Sequence, residues 1–469
     1  MNAACSKWSA TNLGILDAIL VNVAYFLGFL VKFGTDIPQV NLNAFLRLSP
    51  WIGIMSVISF WLSGGYDDDF RWPVEIIYNA TLSAFLTGIG GMAIAFLTRE
   101  FAFPRTIFIL GFMFHVLVLS SSRLLIMRLI PREGKVRKVA VIGSAAQNQV
   151  VAARISSLFG HSLQVTHMLD STEAYNPEIL NAVDIVCFGD SLPANVKEDV
   201  VRICLELGKD VYVVPDLYDI LLHRARLGRL DDVMILRVES LSIDKGQQLV
   251  KRVFDAVLAL ALLVILSPLI LVISSAIMLT SSGSPFYSQE RIGWRGKPFK
   301  LLKFRTMIQD AERDTGPVLT WEGDPRITKV GRILRSLRLD ELPQLINVLQ
   351  GDMSFVGPRP ERPFFVEQFN DRIRDYRYRL QVKPGITGLA QIEGRYSTNP
   401  EDKLKYDLYY IRSFSLLLDL QIILRTLKVA FTPDKANGLA RPGGSAIVEE
   451  GAPTSDSVNS DCEDASYHS

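Results

Sequence analysis

From Leu13 to Phe33 the chain reads LGILDAILVNVAYFLGFLVKF, an apolar run long enough to cross a bilayer as a helix. Comparable runs follow at Phe45–Leu62, Glu75–Leu97 and Thr106–Met127. Together they predict about four helices of ~20 residues and a transmembrane bundle over residues 1–130. Asp17 interrupts the first run and no small-residue cleavage site follows it, so a retained anchor is expected instead of a signal peptide. Arg123, Arg128, Arg132, Lys135, Arg137 and Lys138 cluster after the last run, which puts that end in the cytoplasm; an even number of spans puts the N-terminus there too. The loop GGYDDDFRWP falls on the same side although it is acidic, and carboxylates weigh little in that rule. The runs carry almost no charge of the kind that lines a transport path, so the reading is an anchor or dimerisation bundle, with a homodimer among the expected partners.

At 469 residues the chain exceeds one ordinary core, and two or three domains are expected. Lys and Arg number 50 against 49 Asp and Glu, so no global field marks a nucleic-acid binder. Cys5, Cys187, Cys204 and Cys462 form no CxxC pair and have no histidine at ligand spacing, which predicts reduced thiols and no disulfide frame or zinc site.

KVAVIGSAAQNQVVAARISSLFG, from Lys138 to Gly160, reads as strand, Gly-Ser turn and helix. With LQVTHML, VDIVCFGD and DVYVVPD it predicts a Rossmann-like α/β domain over 136–231 and a connector over 232–250. Its turn, GSAAQN, lacks the later glycines that let a pyrophosphate approach, which favours a structural or regulatory domain over a nicotinamide site. Next comes KRVFDAVLALALLVILSPLILVISSAIMLT, from Lys251 to Thr280, apolar enough to span but with Ser267-Pro268 at its middle. Proline predicts a kink or break there, and basic residues on both flanks put both ends in the cytoplasm. The expectation is a re-entrant helix over 251–280; a kinked fifth span is the alternative.

SPFYSQERIGWRGKPFKLLKFRTM then interleaves aromatic residues with Arg291, Lys303 and Arg305, a mixture suited to anionic headgroups, a nucleotide diphosphate or an interfacial collar. Further on, GRILRSLRLDELPQLINVLQGDMSFVGPRPERP places Arg335 and the adjacent acids Asp340 and Glu341 at helical spacings, ahead of Pro358-Arg359-Pro360. A carboxylate can attack phosphorus, arginines neutralise phosphate, and flanking prolines pre-aim a guanidinium.

These segments, with KRxFD at Lys251–Asp255, DPRITKVGRILR, and RLQVKPGITGLAQI at Arg379–Ile392, resemble the catalytic domain of bacterial sugar transferases, the monotopic phosphoglycosyl transferases. The whole chain resembles the large form of that family: a multi-domain membrane protein with a four-helix bundle, a Rossmann-like middle domain, and an α-rich catalytic domain over 251–435 holding a re-entrant helix. The resemblance implies that Asp340 attacks the sugar-linked phosphate of a UDP-hexose, UDP-glucose or UDP-galactose, releasing UMP. Undecaprenyl phosphate would then take the phosphosugar from the enzyme at the cytoplasmic face of the bacterial inner membrane. It implies that Glu341 completes the dyad, that Mg²⁺ sits on Asp340 and Glu341, that Arg335, Arg359, Lys303, Arg305 and Arg291 bind phosphates, and that Ser267-Pro268 makes the re-entrant break. A non-catalytic scaffold of polysaccharide assembly is the competing reading, and a nicotinamide-dependent epimerase a third. The run from Lys403 to Phe431 reads equally as an interfacial or a core helix, and the acidic end, 441–469, as disordered.

Overall fold

The computed structural model describes residues 10–66, 73–129, 136–159, 163–171, 173–189, 192–238, 240–308, 311, 324–394 and 398–430. The acidic tail, most of the GGYDDDFRWP loop, and Arg132 and Lys135 of the basic cluster lie outside them. The apolar runs fold as α1 (Ala10–Phe33), α2 (Gln39–Leu62), α3 (Pro73–Leu97) and α4 (Arg105–Leu129). Helix α1 packs on α2 and α4, and α3 packs on the same two, closing a bundle around Val21, Tyr25, Phe29, Phe45, Phe60 and Leu119. Its outer surface is just as apolar, with Ile19, Phe85, Ile109 and Leu117 exposed, as lipid-facing helices require. The expectation of an almost uncharged interior is corrected in one place. Asp17 and Arg123 are buried and paired at 2.5 Å, and the Tyr66 hydroxyl donates to the same carboxylate at 2.8 Å. Pairing is how a bundle tolerates both charges.

The middle of the chain builds β1 (Arg137–Ile142), α5 (Ala145–Phe159), β2 (Leu163–Leu169), α6 (Pro177–Ala182), β3 (Ile185–Phe188), α7 (Ala194–Glu206), β4 (Asp210–Val213) and α8 (Leu217–Leu222). The strands pair in parallel in the order β2-β1-β3-β4, so the chain reverses direction across the sheet between β1 and β3. In open parallel sheets such a reversal is where a ligand crevice forms. Gln147 lies across it: a Cβ on Gly189 would meet its Oε1 at 3.0 Å. Beyond α8 the chain makes a hairpin, β5 (Arg226–Leu230) and β6 (Val233–Arg237), whose turn falls where the expected domain boundary was drawn.

Helix α9 (Lys245–Thr280) starts before the expected Lys251 and runs on without a break through Pro268. Helical hydrogen bonding passes the proline for a local reason. Proline cannot donate to the carbonyl four residues back, that of Val264, and the Ser267 hydroxyl donates to that same carbonyl at 2.8 Å. The Ser-Pro pair therefore repairs its own defect.

The remainder is α-rich: β7 (Phe286–Ile292) pairs antiparallel with β8 (Pro298–Phe304), followed by α10 (Lys329–Ser336), α11 (Gln344–Gln350), β9 (Ser354–Val356), α12 (Pro363–Arg372), β10 (Gly385–Thr387), α13 (Leu389–Glu393), α14 (Pro400–Ser413) and α15 (Leu416–Ala430). Strand β9 runs parallel to β10, with backbones so close that a Cβ on Gly385 would lie 2.2 Å from the nitrogen of Gly357. The single helix expected from Lys403 to Phe431 is two helices. Both are core elements, burying Leu404, Leu408, Tyr410, Ile411 and Ile422 in the main cluster. Helix α8 joins that cluster through Ile220, and Arg412 Nε donates to the Leu221 carbonyl at 2.8 Å, which docks the middle domain on α14.

Candidate active site

The KRxFD motif sits near the start of α9 and fixes the strand that leads into Pro-Arg-Pro. Lys251 pairs with buried Asp419 at 2.5 Å; the Tyr410 hydroxyl lies 2.8 Å from that carboxylate and 3.1 Å from the Val356 carbonyl oxygen. Arg252 donates to the last carbonyls of α11, those of Val348 and Leu349, at 2.6 and 2.7 Å. Asp255 accepts from the Phe355 backbone N–H at 3.3 Å. A helix end carries unpaired carbonyls and a strand edge unpaired amides, so these residues satisfy backbone groups that packing alone leaves open.

The acids themselves are not on a continuous helix with Arg335. Helix α10, capped by the Thr328 hydroxyl on the Gly331 N–H at 2.9 Å, ends at Ser336. Arg338 then takes a left-handed conformation, φ 55°, and Leu339–Glu341 form one tight turn ahead of Pro343 and α11. Gly331 lets α10 lie on the end of β8, since a Cβ there would meet the Thr306 carbonyl oxygen at 2.0 Å. That approach lets Arg335 Nε donate to the Thr306 hydroxyl at 2.9 Å. Asn347 bridges the other side: its Oδ1 accepts from Leu302 N–H at 3.0 Å and its Nδ2 donates to the Lys300 carbonyl at 2.8 Å. Strand β8 is thereby held with Lys303 against the acids.

Lys303 Nζ donates to Glu341 Oε1 at 3.1 Å and Arg359 Nη2 to the same oxygen at 3.3 Å. Burial pushes the Glu341 carboxyl up, but Lys303, Arg359 and Arg338 outweigh it and hold it well below the usual carboxylate range. Asp340 goes the other way. Burial and then the Glu341 charge push it above the ordinary value, against the opposing pull of Lys303 and Arg335. Among the described residues no side chain donates a hydrogen bond to Asp340. The environment thus pushes the two pKa values apart, one carboxylate held down by cations and one raised by burial and by its neighbour, the division found where two acids take different chemical roles.

Of the expected phosphate ligands, Lys303, Arg335 and Arg359 converge on the acids. Arg291 lines the same cleft with Lys303, Glu341, Gln344, Arg359 and Gly385, but its donors go to the Pro360 carbonyl at 3.1 Å and Gln289 Oε1 at 2.7 Å. Burial, together with Arg359 and Arg362 and against Glu361, lowers its pKa to about 10. Arg305 is spent elsewhere, on the carbonyls of Ser281, Ser282 and Gly283 at the end of α9, where it serves as a helix cap. Ser267 and Pro268 lie mid-helix in α9. Sequence reasoning assigned nothing to Arg379, Asp407 or Asn347; Arg379 opens one of the motifs noted above, and that was its only signal. Among the described residues no three carboxylate, imidazole or thiol groups converge on a metal position. The adjacent acids do fit Mg²⁺ in its usual protein setting, where one or two carboxylates share the ion with substrate phosphates.

Residues 246–433 match the family model described as bacterial sugar transferase. The chain is 42% identical over 221 residues to a UDP-glucose:undecaprenyl-phosphate glucose-1-phosphate transferase of Caulobacter vibrioides, covering 46% of this chain and 82% of the relative. It is 40% identical to the protein of the same description from Klebsiella pneumoniae, covering 47% of this chain and 48% of that one, so it spans about half the length of that relative. A UDP-galactose-lipid carrier transferase of Erwinia amylovora is 28% identical along 91% of this chain and 97% of its own. With the catalytic segment matched at this identity along most of the Caulobacter protein, the chain belongs to the bacterial sugar transferase family.

Proposed function

We propose that the protein transfers a hexose 1-phosphate from a UDP-sugar, UDP-glucose or UDP-galactose, to undecaprenyl phosphate, opening exopolysaccharide, capsule or O-antigen synthesis. The observation that carries the reading is the geometry of the dyad: Glu341 held by Lys303 and Arg359 directly beside Asp340, to which no side chain among the described residues donates. An Asp340 oxygen bonds to the sugar-linked phosphorus, the bond from that phosphorus to the bridging oxygen breaks, and UMP leaves with the bond electrons. The lipid phosphate oxygen then attacks the same phosphorus and Asp340 departs as a carboxylate. Arg335 and Arg359 neutralise the phosphate oxygens as charge builds, and Lys303 keeps Glu341 ionised beside them. Asp340 and Glu341 would also hold Mg²⁺, which supplies charge neutralisation between carboxylate and diphosphate when bound. The relatives' names, which mention glucose and galactose, support the substrate class and leave the sugar open.

The acceptor lives in the bilayer, and α9 suits it. Near its start Lys251 and Asp255 bind α15 and β9, and near its end Ile273 and Ile277 pack with Phe304 and Leu334 of the same domain. A helix crossing the membrane would separate those ends by ~30 Å of hydrocarbon, so this packing supports a re-entrant helix. Its exposed apolar middle, Val257, Leu260, Val264 and Ile265, would dip into the inner membrane from the cytoplasmic side. The middle sheet is Rossmann-like under this reading, and Gln147 across its crevice supports a structural role. The bundle would serve as multi-pass anchor and, in a homodimer, as the contact between copies.

The test is purified protein in nanodiscs with Mg²⁺ and radiolabelled UDP-sugars but no lipid. Stoichiometric UMP release with label retained on the protein is expected for one donor. UMP release that appears only when undecaprenyl phosphate is added, without retained label, would replace the covalent step by direct displacement.

The raised pKa of Asp340 sets the pH dependence. A nucleophilic carboxylate is lost as pH falls through its pKa, so the acid limb of kcat/KM should lie above the range of an ordinary aspartate. Glu341→Gln removes the charge that adds to burial in raising Asp340 and leaves Lys303 and Arg335 to lower it, so the limb of the residual activity should move to lower pH. An unmoved limb would assign the titration to another group.

A further inference from the structure

Pro358 and Pro360 have no N–H, so the Pro-Arg-Pro segment cannot be held by an ordinary strand ladder, and its carbonyls must find donors elsewhere. They find them in turn: Pro358 O accepts from Gly385 N–H at 3.0 Å, Arg359 O from Arg379 Nη2 at 3.0 Å, Pro360 O from Arg291 Nη1 at 3.1 Å, and Glu361 O from Ile292 N–H at 2.9 Å. Backbone amides serve the outer positions, and the central carbonyls go to guanidinium groups from two separate elements, one on β7 and one on the turn at Tyr376–Gln381.

Arg379 is itself fully committed. It is 7% exposed, its Nε donates to Asp407 Oδ2 at 2.9 Å, its Nη1 to the Tyr376 hydroxyl, and its guanidinium lies 5.0 Å over the Tyr376 ring. Asp407 on α14 is 2% exposed, and burial raises its pKa against the pull of Arg379. Burying this pair is expensive unless the geometry is fixed on all sides. What it delivers is one N–H aimed at the backbone of Arg359. Lysine could keep the charge but could not present donors in one plane to Asp407, Tyr376 and a carbonyl together.

We propose that Arg379 and Arg291 are positioning residues that clamp the backbone of Pro358-Arg359-Pro360 from two sides and so aim the Arg359 side chain at Glu341. Arg291, expected from the sequence to bind phosphate, acts here through Arg359. The kinetic half of this inference rests on the transferase reading; the structural half does not.

The experiment uses full-length protein in nanodiscs carrying Arg379→Lys, Arg359→Lys or both. Hydrogen exchange across residues 355–362 should accelerate about tenfold or more in Arg379→Lys, with β7 and β8 unchanged. In turnover, Arg379→Lys should lower kcat by about 10- to 100-fold with little change in KM, because a misplaced group costs rate. In the Arg359→Lys background the same substitution should cost less than about threefold, since the group it positions is already gone. Equal costs in both backgrounds, or unaltered exchange, would overturn the clamp while leaving the transferase intact. A wild type without turnover would sink the transferase reading, and exchange would still decide the clamp. If Arg379→Lys does not accumulate, Tyr376→Phe, which removes one Arg379 partner, should give the same pattern with smaller changes.

Discussion

Asp340→Asn is expected to abolish label retained on the protein and to lower turnover by about 10³-fold or more, in membranes that still contain the chain at wild-type level. The amide keeps the shape of the carboxyl but has neither its charge nor a nucleophilic oxygen. A raised pKa adds a check that separates chemistry from folding. An acid whose pKa is higher in the folded state binds more protons there than when unfolded, so its ionisation costs stability as pH rises through the folded value. Asparagine removes that cost along with the repulsion from Glu341. The midpoint of thermal unfolding at neutral pH should therefore stay the same or rise as activity disappears. Such an exchange of stability for function is usual where strained charge does the work. Wild-type stoichiometry of label in Asp340→Asn would remove Asp340 from the covalent step and place the nucleophile elsewhere in the chain.

The acids, Lys303 and the Pro-Arg-Pro arginine were singled out by the family resemblance, since a pair of acids among arginines is by itself more often a solvated helix face, and the structure brings Lys303 and Arg359 together on Glu341. What sequence reasoning missed was assignment among look-alike cations. Arg291, Arg305 and Arg379 are similar residues in similar surroundings along the chain, and only tertiary contact decides that one caps α9 and the others hold a loop. Charge left the reading of residues 403–431 open between an interfacial and a core helix. Asp407 and Asp419 look like the polar face of an interfacial helix, yet both are buried against cations from distant segments, Arg379 and Lys251. The membrane bundle was legible from run length alone, but the buried Asp17–Arg123 pair joins residues from α1 and α4 and has no local signature.

Arg359→Lys should lower the rate of label formation by about 10²-fold, the scale set by removing one preorganised donor from a charge-stabilising site. Folding should be unaffected, because the Arg359 side chain remains 44% exposed and its ion pair with Glu341 is one of two. Lysine retains the positive charge, so the loss measures geometry: a guanidinium can hold Glu341 with one N–H and present others to a phosphate, whereas an ammonium on a flexible stem must choose. The partition between kinetic constants identifies the step. If Arg359 acts on charge that develops as the phosphorus bond breaks, kcat and kcat/KM fall together; if it only binds the donor, KM rises and kcat stands. Joint loss is expected, since Arg359 is already held at the acid it serves before any donor arrives. A change of less than about threefold in both constants would mean that Lys303 alone suffices to keep Glu341 ionised and that the prolines hold Arg359 for some purpose other than this transfer.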